Sequence, residues 1–280
     1  MTAMLMTKSP SPPAVAVRRG LDPRALAWML GGAGMLATLA GWAWLSDVLA
    51  GGGGVISRLP APLLVAKTLA AYVTQDFAKD LASSLEVFAI GWLAGGIAAT
   101  LVGLLLGRVH VLGNIFLPVV EAIRPVSSIA WVPLSIVWFG FGLTSKAFLV
   151  GLAVFLVVVV YAVDGCTRIP ADLARTATML GMNRWQRFRH LILPGTLAEV
   201  LIGARVSLMS GWGTVIVAEL VAANSGLGAH LIAVQQSYDV AAVVATMICF
   251  GLSGFVMNAA FTLAEARLLP WHRAQVESQP

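Results

Sequence analysis

Between two long apolar runs, residues 169–194 read IPADLARTATMLGMNRWQRFRHLILP. This segment holds four arginines and one aspartate, and Gly181 lies near its middle. Basic and apolar side chains are interleaved at helical spacing, which predicts two short amphipathic helices on the face of a membrane. The residues form no catalytic pattern. Physical chemistry alone leaves two roles open, which are contact with lipid headgroups and docking of a cytosolic partner.

Local signals divide this segment into two helices. Pro170 suits a helix start, and Gly181 can take the left-handed conformation that ends a helix. Asn183 can cap a second helix, and Gln186 can complete a capping box. We expect Pro194 to break the chain before the next apolar run. The first helix carries Leu173, Ala174, Ala177 and Leu180 at helical spacing; the second has an apolar face of Trp185, Phe188 and Leu191 and a basic face of Arg184, Arg187 and Arg189.

The composition of the whole chain indicates a polytopic, all-α membrane protein. Its 280 residues are 59% hydrophobic and 11% charged, whereas soluble domains carry about 25% charged residues. Six apolar runs each approach the roughly 20 residues that cross a bilayer. They cover about 25–49, 81–106, 115–139 (interrupted by Pro125 and Pro133), 146–163, 197–222 and 240–263. Cys166 and Cys249 lie far apart without metal-ligand spacing, so we expect neither a disulfide nor a zinc site.

These runs define the predicted organisation of the chain. Residues 1–24 are expected to be a disordered cytoplasmic tail. Residues 25–49 form the first transmembrane helix; a cleaved signal peptide is the alternative, but the run is longer than a usual signal core and lacks a clear cleavage site. We expect an extracytoplasmic connection at 50–80, a transmembrane core at 81–269 that contains the segment 169–194, and a second cytoplasmic tail at 270–280.

The distribution of lysines and arginines predicts that both termini are cytoplasmic. With the N-terminus inside, six spans place 12 of the 18 basic residues in the cytoplasm and four outside. Arg124 and Arg205 are left at membrane depth. The net charge of +5 is therefore a topology signal, and it does not indicate nucleic-acid binding.

Charged residues at membrane depth are costly, at roughly 2.5–3.5 kcal/mol each on insertion scales, so each needs a partner or a wet cavity. Glu121 can pair with Arg124 three residues later, or Arg124 can set a positive potential along an anion path. Arg205 and Glu219 are too far apart on one helix to touch, so each should find a partner elsewhere, and Glu86 should be paired structurally. The candidate translocation-path residues are Arg124, Trp131, Arg205, Trp212 and Glu219, with the membrane-interface belt as the alternative for the tryptophans.

A stripe of small residues recurs every four positions on the second apolar run. Its members are Gly91, Gly95, Ala99, Gly103 and Gly107. Small stripes allow close helix packing in lipid, although a sliding seam between moving helices would use one too. The chain contains no GxxxxGK[ST] phosphate loop, so we expect it to bind no cofactor and neither to bind nor to hydrolyse ATP itself.

Several motifs resemble one transporter family. Gly181 followed by Leu191-Ile192-Leu193-Pro194 resembles the cytoplasmic loop signature of ABC importer permeases, although Arg175-Thr176-Ala177 stand where that family has Glu-Ala-Ala. The stretches 124–142, 217–228 and 269–272 are similar to the nitrate, sulfonate and taurine branch, with the last most similar to taurine permeases. The resemblance covers about residues 59–273.

The resemblance implies a type I ABC importer permease fold in a bacterial inner membrane. It implies a homodimer that works with two cytosolic ATPases and an extracytoplasmic solute-binding protein. Taurine or another sulfonate is the expected solute; nitrate, bicarbonate or another small solute is the alternative. The implied ATPase-coupling residues are Arg175, Thr176, Ala177, Leu180, Gly181, Met182, Asn183, Arg184, Trp185 and Pro194.

Two other functional classes are alternatives to an ABC importer permease. A stand-alone secondary transporter or channel would need protonatable or ion-binding groups at the midplane and would not need the segment 169–194. A membrane enzyme would need a cluster of histidines or aspartates at one interface, and the sequence shows none.

Overall fold

The computed structural model describes residues 23–50, 59–222 and 225–268, and all regular structure within them is helical. Helix α1, Pro23–Ala50, belongs to a compact unit of its own. Its 28 residues correspond to about 42 Å at about 1.5 Å per residue, which exceeds the roughly 30 Å of bilayer hydrocarbon. The first predicted apolar run, 25–49, lies within this one helix, and its crossing of the membrane stays a prediction. The predicted tails at 1–22 and 269–280 lie outside the described residues.

The second unit contains the rest of the helices. They are α2 (Pro62–Gln75), α3 (Phe77–Arg108), α4 (His110–Ile123), a 3₁₀ turn (Ser128–Trp131), α5 (Val132–Phe139), α6 (Leu143–Thr167), α7 (Ala171–Met179), α8 (Arg184–Arg187), a π turn (Phe188–Ile192), α9 (Leu193–Ala222), α10 (Leu227–Gln236) and α11 (Val240–Leu268). Helix α2 was not predicted. It forms because it buries Val65 and Tyr72 along one face while the rest of its surface stays largely exposed.

Helices α3 and α6 pack through the predicted stripe of small residues. A methyl group added at Gly91 would lie 2.7 Å from the Ala147 carbonyl oxygen, and one at Gly95 would overlap the Gly151 backbone. Ala99 is fully buried. The stripe therefore brings two backbones into direct contact, which confirms the packing role that its spacing predicts.

The contacts of these glycines also give the directions of the helices. Gly91 on α3 lies beside Ala147 near the start of α6, and Gly107 lies beside Cys166 near the end of α6, so α3 and α6 are parallel. Helix α9 is antiparallel to α6, since Gly165 contacts Thr196 and Gly211 contacts Val154. Helix α11 is antiparallel to α9, because Arg205 pairs with Glu265 while Trp212 stacks on Phe250.

The parallel arrangement of α3 and α6 determines whether the third apolar run crosses the membrane. Among the described residues, four helices are long and apolar enough to cross a membrane, within 77–108, 143–167, 184–221 and 240–265, and a pair at 111–139 is bent by 99°. Because α3 and α6 are parallel, the connection between them must start at one end of the bundle and finish at the other. The bent pair therefore crosses as one broken span, and its break at residues 124–127 includes Pro125.

Candidate functional site

Helix α7 ends in a well-defined glycine turn. The Met182 amide donates to the Ala177 carbonyl oxygen at 3.1 Å, and the Gly181 amide donates to the Thr178 carbonyl oxygen at 3.0 Å. This pair of bonds is a Schellman motif, which places Gly181 at a left-handed position, and its φ is +75°. Residues with a Cβ are strained at this φ. The predicted role of Gly181 as a helix terminator is confirmed.

A capping box starts the next helix. The Asn183 side chain accepts from the Gln186 amide, and the Gln186 side chain accepts from the Asn183 amide, both at 2.8 Å. This is the reciprocal pair that the sequence predicts. Arg187 then donates to the Thr178 hydroxyl at 3.1 Å, which ties the two short helices together. Residues 171–187 consequently form a rigid corner.

The prediction that Pro194 breaks the chain is wrong. Helix α8 continues through the π turn into α9, and Pro194 is the second residue of α9. The Leu193 amide bonds to the Phe188 carbonyl oxygen, which is the longer hydrogen-bond spacing of a π turn. The wider turn offsets the hydrogen bond that proline cannot donate. Arg108, the last residue of α3, covers the Phe188 ring at 4.7 Å and anchors this turn.

The two ends of residues 169–194 are held together where α6 meets α9. Arg168 donates to Glu199 at 3.1 Å and also lies 3.9 Å from Asp164. Just before it, a methyl group at Gly165 would lie 3.0–3.1 Å from Thr196 atoms, so the two backbones are close. Displacement of α7 would therefore act on α6 and α9 together.

The outer side of this corner presents large apolar side chains. Met179 is 85% exposed, Leu180 73% and Trp185 65%. Arg175 extends beside them with only a 3.8 Å contact to Asp172, which is itself exposed. Ala177 of α7 is buried. Of the remaining predicted coupling residues, Thr176, Asn183 and Arg184 are exposed and Met182 is half-buried.

A second polar site lies at the opposite end of the bundle, around Glu219. This side chain is 1% exposed. Its carboxyl group accepts from the Ser84 hydroxyl at 2.9 and 3.0 Å and from the Gly228 amide at 2.8 Å. The Leu227 amide donates to the same Ser84 hydroxyl at 2.9 Å. The buried Lys146 ammonium adds an attractive interaction. Glu219 thus joins α3, α9 and the start of α10.

Glycines make room for that carboxyl group. A methyl group at Gly226 would overlap the Glu219 carboxyl, and one at Gly228 would lie 2.6 Å from the Glu219 Cβ. Gly226 also has a φ of +109°, a conformation that side chains with a Cβ rarely adopt. The prediction that Glu219 finds its partner outside its own helix is confirmed. Its partners Ser84 and Gly228 were not predicted from the sequence.

A third cluster joins α2 to α3 and α10. The Tyr72 hydroxyl donates to Asp80 at 2.9 Å, the His230 ring stacks on Tyr72 at 4.1 Å, and His230 lies 3.7 Å from Asp80. Burial, reinforced by the hydrogen bond to Asp80, raises the pKa of Tyr72. Because His230 lies 150 residues after Asp80 in the chain, no local pattern could have revealed the cluster.

The remaining path candidates do not converge. Arg205 pairs with Glu265 on α11 at 3.5 Å, which confirms the prediction of a partner on another helix. Trp212 is 3% exposed, stacks on Phe250 and donates to its carbonyl oxygen at 3.2 Å, so it packs in the core. Trp131 is half-buried beside Val217 and Ala218.

The predicted pairing of Arg124 with Glu121 does not form. Both residues are exposed, and no ion pair joins them in the part of the chain that is described. Helix α4 ends at Ile123, so Arg124 lies where the chain turns away. Glu86 is likewise exposed and forms no ion pair within the described ranges, contrary to the expectation of a structural partner.

A cavity of about 270 Å³ opens between α3, α6 and α9. Its lining is apolar apart from Thr100 and Ser207, and none of the five path candidates borders it. The cavity lacks the converging donors that would fix a small anion.

Comparisons with known proteins agree with this architecture. A family model described as "Binding-protein-dependent transport system inner membrane component" matches residues 93–270. The taurine transport system permease protein TauC of Escherichia coli is 34% identical over 194 residues, which cover 69% of this chain and 70% of that protein. SsuC of Bacillus subtilis, named for aliphatic sulfonates transport, is 30% identical and covers 95% of both chains. The nitrate import permease protein NrtB of Leptolyngbya laminosa is 25% identical over 68% of each.

A solved structure shows the same fold. The MetNI methionine ABC transporter, in inward-facing conformations, matches with a TM-score of 0.55 and 18% identity, over 66% of this chain and 92% of that one. The family match covers more than half of the chain and includes α6, the segment 169–194 and α9. This chain therefore belongs to the family of inner-membrane components of binding-protein-dependent transport systems, and it is an ABC importer permease subunit with the type I fold.

Proposed function

We propose that this permease imports taurine or another small sulfonate by alternating access, as a homodimer with two cytosolic ATPase subunits and an extracytoplasmic solute-binding protein. The observation that carries the coupling mechanism is the rigid corner at residues 171–187. It presents exposed apolar side chains on one side and is anchored through Arg168 to α9 and through Phe188 to α3. A force applied to this corner reaches the spans as a rigid-body displacement.

The direction of the chain supports cytoplasmic termini. Helices α3, α6 and α11 run towards the end of the bundle that holds residues 169–194, and α9 runs away from it. Most of the described arginines lie at that end, so the positive-inside rule supports a cytoplasmic location for it. ATP and Mg²⁺ would then bind the partner ATPases, whose closure displaces α7. Hydrolysis would reset the inward-facing state.

The sulfonate assignment follows the similarity to TauC and SsuC. The similarity to NrtB keeps nitrate as the second candidate. The apolar cavity between α3, α6 and α9 offers no fixed anion site, so we assign solute selection to the binding protein.

The test is uptake into proteoliposomes that contain the permease with its co-purifying ATPase. With the binding protein outside and ATP inside, radiolabelled taurine should accumulate, and unlabelled alkanesulfonates should compete better than nitrate. Preferential competition by nitrate would replace the sulfonate assignment. Uptake without ATP, by a permease that never retains an ATPase, would indicate a secondary transporter instead.

A further inference from the structure

The charge on residues 169–194 indicates what kind of surface receives them. Four arginines and one aspartate give the segment a net formal charge of +3. The Arg187 guanidinium donates a hydrogen bond to the Thr178 hydroxyl. Arg175 has a side chain that is 76% exposed, and within the described residues its one ion pair is the 3.8 Å contact with Asp172, which is 92% exposed. A contact of this kind between exposed groups binds weakly, so the Arg175 guanidinium is available to a partner.

The apolar side chains define the shape of that partner. Met179 and Leu180 are consecutive, so their side chains leave the backbone in directions about 100° apart. Both are more than 70% exposed. A flat bilayer surface can contact only one of these two side chains at a time, whereas the walls of a groove can contact both. The Schellman turn and the capping box hold this corner in place, so its exposure is not needed for folding and marks an interaction site.

We infer that the corner seats in an acidic groove of the ATPase subunit, with carboxylates facing Arg175 and Arg184. This inference rests on the proposed function and adds the chemistry of the partner surface. Apolar contacts of Met179, Leu180 and Trp185 would provide most of the affinity. The surrounding arginines would raise the association rate and the specificity of binding.

The experiment measures binding of the ATPase that co-purifies with the wild-type permease. The full-length permease is held in nanodiscs of neutral lipid, and the dissociation constant is measured at 50 and 500 mM KCl. Arg175→Glu should weaken binding about tenfold at low salt and reduce the salt dependence. Arg175→Lys should stay close to wild type. Arg267→Glu is the matched control, because Arg267 is an exposed arginine at the same end of the bundle but outside the corner.

Equal affinities for wild type, Arg175→Glu and Arg267→Glu, or a wild-type affinity that does not depend on salt, would overturn the acidic groove while leaving the permease assignment intact. A wild-type permease that retains no ATPase would instead contradict the proposed function. If Arg175→Glu changes only binding to anionic phosphatidylglycerol vesicles and leaves ATPase binding unchanged, the arginines contact lipid and the inference fails.

Discussion

Ser84 should contribute more to the stability of this permease than its adjacent serine, Ser83. The Ser84 hydroxyl is fully buried, donates to Glu219 and accepts the Leu227 amide. Replacing it with alanine removes a hydrogen bond to the carboxyl group and leaves the Leu227 N–H without its partner. Each loss corresponds to about 1–3 kcal/mol. Because the two overlap in one site, we expect a total destabilisation of about 2–4 kcal/mol.

The assay compares Ser84→Ala with Ser83→Ala in nanodiscs. Ser83 forms one exposed hydrogen bond with Ser225 at 2.8 Å, so its removal should change stability by less than about 0.5 kcal/mol. For a unit of this size, about 2–4 kcal/mol corresponds to a fall in Tm of roughly 5–15 °C. Hydrogen exchange at Leu227 and Gly228 should accelerate in Ser84→Ala alone. Identical Tm values and identical exchange in the two variants would refute the reasoning.

Three further comparisons test other parts of the structure. Gly95→Ala should force α3 away from α6, which costs about 1–3 kcal/mol and lowers the Tm. The matched variant Gly96→Ala would place its methyl group 4.0 Å from the nearest atom, so its Tm should be unchanged or higher. Equal Tm changes in the two variants would contradict the close packing of α3 against α6. Tyr72→Phe should lower the Tm at neutral pH by removing the bond to Asp80. The raised Tyr72 pKa means that the folded state favours the neutral phenol, so this stabilisation is full below about pH 10 and is lost progressively as the pH rises above it. The difference in Tm between wild type and Tyr72→Phe should therefore become smaller above about pH 10. A difference in Tm that grows with pH would contradict this reasoning. Trp212→Phe should fold and transport, whereas Trp212→Ala should lose about 3–5 kcal/mol of folding stability. A stable Trp212→Phe variant that does not transport would instead assign Trp212 to the translocation path.

The corner at 171–187 could be predicted in detail because its determinants are local. The Schellman turn needs one glycine, and the capping box needs two residues three positions apart. Both signals lie within a few residues of Gly181, and the hydrogen bonds form as their spacing requires. The small-residue stripe was predictable for the same reason, since its period follows from helix geometry alone.

Features that depend on distant residues could not be predicted in this way. Ser84 and Glu219 are 135 positions apart, and no local pattern indicates that α3 supplies the hydroxyl. The continuous helix through Pro194 depends on a π turn that Arg108 stabilises from another helix. Arg124 keeps a helical backbone as the C-cap of α4, three residues after Glu121, but both side chains are exposed at this helix end, where an ion pair gains little. In each case a tertiary contact or a helix end overrides the spacing rule.

The central claim is that residues 169–194 transmit work between ATP hydrolysis and the membrane spans. The most direct measurement is ATP hydrolysis by the reconstituted complex, with and without solute-loaded binding protein, for wild type and Gly181→Pro. Proline fixes φ near about −65°, whereas Gly181 has a φ of +75°, so the corner cannot keep its shape. We predict that the variant assembles in the membrane and that the binding protein stimulates hydrolysis only in the wild type. Equal stimulation of Gly181→Pro would contradict the coupling role of this segment.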